Sequence, residues 1–293
     1  MKKETAARLM LISSMVVFGT IGLFVRNIAL PSGEIAFFRA ALATLLIGGY
    51  LLVGRRRIDF KALGKEAVAL ALSGVAIGFN WILLFEAYKY TTVSVATLSY
   101  YFAPVLVTLL CPVIFKEKMT VKKWICFAVS TVGILLITGL GELSEGQDHF
   151  KGVLLGLGAA TLYATVIILN KLIHGIEGIE RSFLQFISAT AVLLIYVLVS
   201  GGFEIAALDV GGWLSLALVG VLHTGVTYCL YFSSLREISG QETAVISYID
   251  PLVAVMISVV FLHEEMTLPQ IIGGALILGA TLWNELPERK RSK

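Results

Sequence analysis

The sequence predicts an all-α polytopic membrane protein, with ten transmembrane helices forming two inverted five-helix repeats. Three observations carry that prediction. The chain of 293 residues is 57% hydrophobic and only 15% charged, with a mean hydropathy of +0.88. Soluble domains average roughly 45–50% apolar and about 25% charged residues, and no globular interior of this length hides so much apolar surface. The apolar residues fall into ten runs, and the second half of the chain matches the first at one fixed offset. Six prolines and three cysteines exclude collagen and a disulfide scaffold.

In order, the runs cover 8–28, 35–53, 67–88, 93–115, 121–140, 152–173, 183–200, 211–235, 243–262 and 269–286. Each approaches the roughly 20 residues needed to cross a hydrocarbon core. The first, after Lys2, Lys3 and Glu4, imitates a secretory signal. It lacks a small-residue cleavage site and nine more runs follow, so an uncleaved helix is expected. The gaps are short and charged: Arg55, Arg56 and Arg57 with Lys61 and Lys65, then Lys116 to Lys118, then Glu142 to Lys151. The longest, 141–151, reads as a loop rather than an extramembrane domain. Cys111, Cys126 and Cys229 lie within runs and read as buried thiols. Tyr50 and Trp213, near run ends, read as interfacial belt residues.

Orientation follows from the basic residues. With the N-terminus inside, nineteen of the 23 Lys and Arg lie on the inner side, among them Arg236, Arg289, Lys290, Arg291 and Lys293. Arg26, Arg39, Lys89 and Lys151 remain for the outer half. Both termini are therefore expected in the cytoplasm, and the protein in the cell membrane.

The internal match has an offset of 147 residues. Tyr101 and Pro104 stand against Tyr248 and Pro251, and Glu117, Met119 and Thr120 stand against Glu264, Met266 and Thr267. Repeats of 1–147 and 148–293 follow. Each holds five helices, an odd number, so the second inserts upside down relative to the first. The charges agree: the first loop carries Lys116, Lys118, Lys122 and Lys123, while its counterpart around His263, Glu264 and Glu265 has no Lys or Arg. Inverted repeats around a midplane site are the architecture of secondary transporters.

These residues resemble the drug/metabolite transporter superfamily, and within it the EamA-type proteins. The late helices of each half are similar to the family pattern of helix, proline, Glu-containing turn and Gly-bearing helix: Pro104, Glu117 and Gly133, then Pro251, Glu264, Gly273 and Gly274. Phe18 and Gly19 resemble the family's aromatic-Gly pair, with Phe where Trp is commoner, and Arg39 resembles the Arg of its second helix. Ala280 stands where the first half has Gly133, a departure touching packing. The resemblance implies a central cavity lined by the third, fourth, eighth and ninth helices, and transport of amino acids, other small metabolites or drugs, often outward.

An ionisable group at membrane depth costs roughly 2.5–3.5 kcal/mol on insertion scales, so Arg39, Glu86, His223 and Asp250 are the candidates for charge and coupling. Asp250 precedes Pro251 on a small, polar stripe with Thr243, Ser247, Ala254 and Ser258. It reads as a proton site or ligand for a substrate ammonium, or as a buried Asp paired to a neighbouring helix. His223 shares a hydrophilic face with Gly220, Thr227, Tyr231 and Ser234. It reads as a coupling residue or as a core histidine satisfied by a Thr or Tyr. Glu86 pairs with Lys89 or serves an outer gate. Arg39 snorkels to the outer surface, pairs structurally, for instance with Glu86, or binds a substrate carboxylate. Asn80, Trp81, Tyr100, Tyr101, Tyr228, Tyr231 and Tyr248 lie well inside their runs and read as a wall selecting planar or amphipathic solutes. Pro104 and Pro251 are candidate hinges.

Enzyme signatures do not emerge. His263, Glu264 and Glu265 lack the second His of a zinc helix and read as an outer loop; Gly64 and Lys65 lack the other parts of a phosphate loop. No metal, cofactor or nucleic-acid partner is expected at a net charge of +3. The expected partners are a small-molecule substrate and the lipid bilayer, with a monomer as the default. The first run has no acidic residue from Leu9 to Leu23, unlike the small multidrug relatives, and few core charges disfavour polyanions. The expected function is secondary active export of small amphipathic or zwitterionic metabolites such as amino acids, proton-coupled, by alternating access. The alternatives are a gradient-independent facilitator and a non-transporting membrane sensor or scaffold.

Overall fold

The computed structural model describes residues 2–55, 58, 63–116, 119–138, 147–176, 178–235 and 237–286. Arg56, Arg57, Lys61, Glu117, Lys118, Arg236, the basic C-terminal residues and most of the 141–151 gap lie outside the described residues. Within them, ten helical segments follow the ten apolar runs. We number them α1 (Lys2–Gly19, resuming as Ile21–Val25), α2 (Ser32–Val53), α3 (Glu66–Tyr90), α4 (Val93–Tyr100 and Ala103–Phe115) and α5 (Val121–Thr138). The second half supplies α6 (Gln147–Asn170), α7 (Gly178–Val199), α8 (Val210–Ser234), α9 (Gly240–Ser247 and Ile249–Val260) and α10 (Leu268–Glu285). Eight of these segments are long and apolar enough to cross a membrane; α9 offers the shorter Val245–Val260.

The repeat seen in the sequence recurs in the backbone at the same offset. Thr92 caps α4 by accepting from the Val95 N–H, and Ser239 caps α9 by accepting from the Glu242 N–H. α4 breaks at Tyr101 and Phe102, and α9 breaks at Tyr248. Pro104 and Pro251 follow these breaks in the first turn of the resumed helix, where the missing N–H has no intrahelical partner to lose. Lys116 and His263, which end the two segments, both take the left-handed conformation, at φ 55° and 54°. A left-handed non-glycine costs roughly 1–2 kcal/mol, so its recurrence marks a turn built twice to one plan.

Packing obeys the same exchange. α1 lies on α8 and α9, and its counterpart α6 lies on α3 and α4. α2 packs on α7 and α8, and α7 on α2 and α3. The pairs α4 with α9 and α5 with α10 map onto themselves. α5 and α10 meet through glycine: a Cβ on Gly133 would stand 2.7 Å from the Gly273 carbonyl oxygen, and one on Gly273 would stand 2.5 Å from that of Gly133. Without a hydrophobic drive between helices in lipid, such backbone proximity supplies the dispersion contact that holds them. The perimeter is correspondingly apolar, with Leu45, Leu52, Val113 and Leu194 among many exposed aliphatic side chains, and Tyr50 and Trp213 are exposed near segment ends. Cys111 and Cys126 are buried and Cys229 is half-buried, and among the described residues none of the three forms a disulfide.

Candidate functional site

The centre of the bundle holds a cavity of about 380 Å³. The third, fourth, eighth and ninth helices line it, and α1, α2, α6 and α7 do so as well, so only α5 and α10 stand outside. Its wall is aromatic, and successive rings meet edge to face or tilted. Trp81 contacts Phe186 at 5.4 Å between centroids, Phe186 contacts Tyr228 at 5.1 Å, and Tyr228 contacts Phe18 at 5.4 Å. Tyr100 meets Tyr163 at 5.3 Å on the other side. Aromatic pairs at these separations contribute about 0.5–1.5 kcal/mol beyond area burial, which keeps the wall ordered without a ligand.

Among the described residues, two opposite charges face this cavity. Arg39 does not snorkel and does not pair with Glu86, correcting two of the expectations for it. It is 6% exposed, its guanidinium lies 4.1 Å above the Trp81 ring, and its Nε donates to Thr224 Oγ1 at 2.8 Å. Stacking on Trp81 repays part of the desolvation that snorkelling would have avoided. Asp250 lines the same cavity and accepts a hydrogen bond from the Tyr101 hydroxyl at 2.6 Å. Its backbone approaches α1 closely, since a Cβ on Gly19 would stand 2.6 Å from the Asp250 carbonyl oxygen. One charge comes from each repeat. At the 147-residue offset Arg39 stands against Phe186 and Asp250 against Ala103, so the charges break the symmetry that the helices keep.

The other sequence candidates divide. Asn80, Trp81, Tyr100, Tyr101, Tyr228 and Tyr231 line the cavity, and the Asn80 amide is anchored by donating to the Ala159 carbonyl at 2.6 Å. His223, Thr227 and Tyr248 are not among the lining residues. His223 is fully buried behind the wall: Nδ1–H donates to the Leu218 carbonyl at 3.0 Å and Nε2 lies 2.9 Å from Thr20 Oγ1. It ties α8 to the break in α1. Thr227 is buried and donates to the Leu222 carbonyl. Glu86 accepts from Ser32 Oγ at 2.6 Å and pairs with Lys89 at 3.0 Å.

The middle of α8, Leu218–Val226, is π-helical. Its wider turn lets His223, Thr224 and Thr227 each reach the carbonyl five residues back. Thr224 thereby donates to Val219 and keeps its oxygen lone pair for Arg39. Such π segments concentrate at functional sites, but the local sequence carries no signal for one.

A second polar cluster was hidden in what reads as an outer loop. Glu264 has a side chain only 7% exposed. It pairs with Arg26 and accepts from the Ser258 hydroxyl and from the Val93 N–H, the last at 2.9 Å. Arg26 also donates to the Tyr88 and Thr91 carbonyls at 3.0 and 2.9 Å. The acid thus sits at the N-terminus of α4 and the base at the C-terminus of α3, each complementing a helix dipole. The pair fastens α1, α3, α4 and the α9–α10 turn together at one end of the bundle. Tyr88, Thr97, Tyr163 and Gln185 were also missed as cavity residues; the signal for Glu264 was its place in the repeated Glu-Met-Thr turn.

Comparison with known proteins agrees with this architecture. The family model described as the EamA-like transporter family matches residues 5–139 and again 150–285. A Bacillus subtilis (strain 168) protein named Uncharacterized transporter YxxF is 33% identical over 277 residues, 94% of this chain and 88% of its own. An uncharacterized transporter of Archaeoglobus fulgidus is 29% identical over 282 residues, covering 94% and 95%. The biotin transporter of Escherichia coli (strain K12) is 20% identical over 256 residues, covering 86% and 84%. One crystal structure superposes with a TM-score of 0.61 at 15% identity over 96% of each chain, a likeness of fold.

Proposed function

The chain belongs to the EamA-like transporter family, which it matches once in each half, and on that premise we propose that it is a proton-coupled exporter of small zwitterionic or amphipathic metabolites such as amino acids. The observation that carries this reading is the pair of opposite charges, Arg39 and Asp250, on one aromatic-walled cavity. A zwitterion satisfies both without adding net charge to the membrane interior, whereas a polyanion finds a single cation. Biotin, for which one relative is named, is itself an amphipathic metabolite.

In this mechanism Asp250 alternates between a proton and the substrate's ammonium group. The two compete for one carboxylate, so an entering proton displaces a departing solute, which is antiport. Each repeat, 1–147 and 148–293, rocks against the other about the α4 and α9 breaks, with Pro104 and Pro251 at the flexing points. Both termini lie in the cytoplasm, the Arg26–Glu264 cluster closes the outer end, and the bilayer is the cell membrane. The protein works as a monomer, without cofactor, nucleic acid or catalytic step.

The test is uptake into proteoliposomes of a pooled panel of labelled amino acids and related metabolites, with and without an imposed pH gradient. Gradient-driven flux of one class is the expected result. Flux indifferent to the gradient makes the protein a facilitator, and ligand binding without flux makes it a sensor or scaffold.

A further inference from the structure

The cavity contains a buried cation whose donors are only partly used. Arg39 is 94% buried, as its 6% exposure states, yet it lines the cavity. Thr224 Oγ1 takes its Nε–H, and Trp81 and Phe85 lie 4.1 and 5.6 Å from Cζ. Among the described residues nothing accepts a hydrogen bond from Nη1 or Nη2, and no ion pair includes Arg39. The Thr224 hydroxyl is committed on both sides, donating to Val219 and accepting from Nε, so the guanidinium is held by one edge and stacked on one face. The Nη edge is what remains.

An unmatched charge at this depth is expensive, and a planar fork of two N–H donors matches a carboxylate or a phosphate bidentately. The charge balance chooses between them. Among the described residues Asp250 is the other charge on the cavity and cancels Arg39. A carboxylate therefore adds a single negative charge, which the solute's own ammonium or a proton on Asp250 neutralises. A doubly charged phosphate adds two and leaves one uncompensated in the membrane interior. We propose that the Nη edge of Arg39 binds the carboxylate of the transported solute, and that the substrates are therefore monocarboxylates whose apolar or aromatic body rests on the Trp81–Phe186–Tyr228 wall. Thr224 is a positioning residue that aims the fork. The inference rests on the transport reading for its physiological meaning but is tested by binding alone.

The experiment is calorimetric titration of the full-length protein in lipid nanodiscs with five probes: L-phenylalanine, 3-phenylpropionate, L-phenylalaninamide, phenethylamine and phenyl phosphate. The expected result is binding of the first two, with the amide, the amine and the phosphate ester weaker by about tenfold or more, the factor for 1.4 kcal/mol. Arg39→Gln should weaken both carboxylates by about 10- to 100-fold, the range for one charged hydrogen-bonded contact, without weakening phenethylamine. Arg39→Lys, which keeps the charge without the fork, should fall between. Thr224→Val should weaken the carboxylates while preserving their order, and it carries the test with Arg39→Lys if the glutamine variant does not fold. The proposal is overturned if amine or amide binds as tightly as the acids, if the Arg39 variants keep wild-type affinity, if phenyl phosphate is preferred, or if no probe binds the folded protein. Carboxylate binding without flux in proteoliposomes would defeat the transport reading and leave the Arg39 site standing; flux of amines alone would do the reverse.

Discussion

Arg26 and Glu264, 238 residues apart in the chain, are paired so that the base neutralises the C-terminus of α3 and the acid the N-terminus of α4. That pair links the first turn-out of the chain to its last turn-in. Glu264→Gln keeps the shape but removes the charge, and leaves the Val93 N–H and the Ser258 hydroxyl a weaker acceptor. A stability loss of about 1–3 kcal/mol is expected, the cost of degrading charged hydrogen bonds. The same variant should raise the reactivity of a cysteine placed at Thr97 towards a membrane-impermeant maleimide. Unchanged labelling would mean that the cluster braces the fold without closing it.

Asp250→Asn preserves the acceptor for Tyr101 but can no longer take up a proton. Proton-driven accumulation should fall to that of protein-free liposomes, whereas exchange of internal for external substrate, which needs no net proton movement, should persist at a lower apparent affinity, because the substrate's ammonium keeps a neutral acceptor but loses its carboxylate. Measuring both in one preparation separates coupling from binding; loss of exchange as well would assign Asp250 to binding alone.

Gly133→Leu forces a side chain into the Gly273 carbonyl and Ile277, where Cβ alone would stand at 2.7 and 2.8 Å. Overpacking of this kind costs about 1–3 kcal/mol. The substitution should lower thermal stability without altering which probes bind, because α5 and α10 do not line the cavity. Gly49→Ala is the control: a Cβ there meets nothing within 4 Å, and a helical alanine is favoured over glycine by about 0.8–1 kcal/mol. Equal stability of the two variants would remove the packing argument.

His223→Ala removes the ring that ties Leu218 to Thr20 and leaves a void behind the aromatic wall. A stability loss of about 2–5 kcal/mol is expected for a large-to-small change in a packed interior, read as a lower unfolding temperature. Proton dependence of flux should be retained by whatever fraction remains folded. A folded variant without proton dependence would instead place His223 in the coupling path.

The ten segments and their repeat were legible because length and apolarity suffice to mark a helix that crosses lipid, and because Tyr101, Pro104 and the Glu-Met-Thr turn recur in register. The aromatic wall was legible for a related reason: Trp81, Tyr100 and Tyr228 sit too far inside their runs for an interfacial belt. Snorkelling is what position alone suggests for Arg39, since five residues from a run's start is where a long side chain reaches water, and only the distant Trp81 and Thr224 turn it inward. Glu264 reads as loop because its partners, Arg26 and Val93, lie far away in sequence. The π segment of α8 had no local signature, and the shares of α6 and α7 in the cavity follow from tertiary packing alone.

Arg39 and Asp250 have no charged counterparts at Phe186 and Ala103, so the scaffold is two-fold and its contents are not. Under the proposed reading, a bound amino acid meets a cation on α2, an anion on α9 and an aromatic surface on α8, three unlike anchors in fixed directions. A two-fold set of anchors would accept the solute in either of two equivalent orientations; three unlike ones on a wall open to one side accept it in one. However freely the halves rock, the solute must therefore travel in a single pose, and its mirror image, unable to reach all three anchors in that pose, is handled as a poorer ligand.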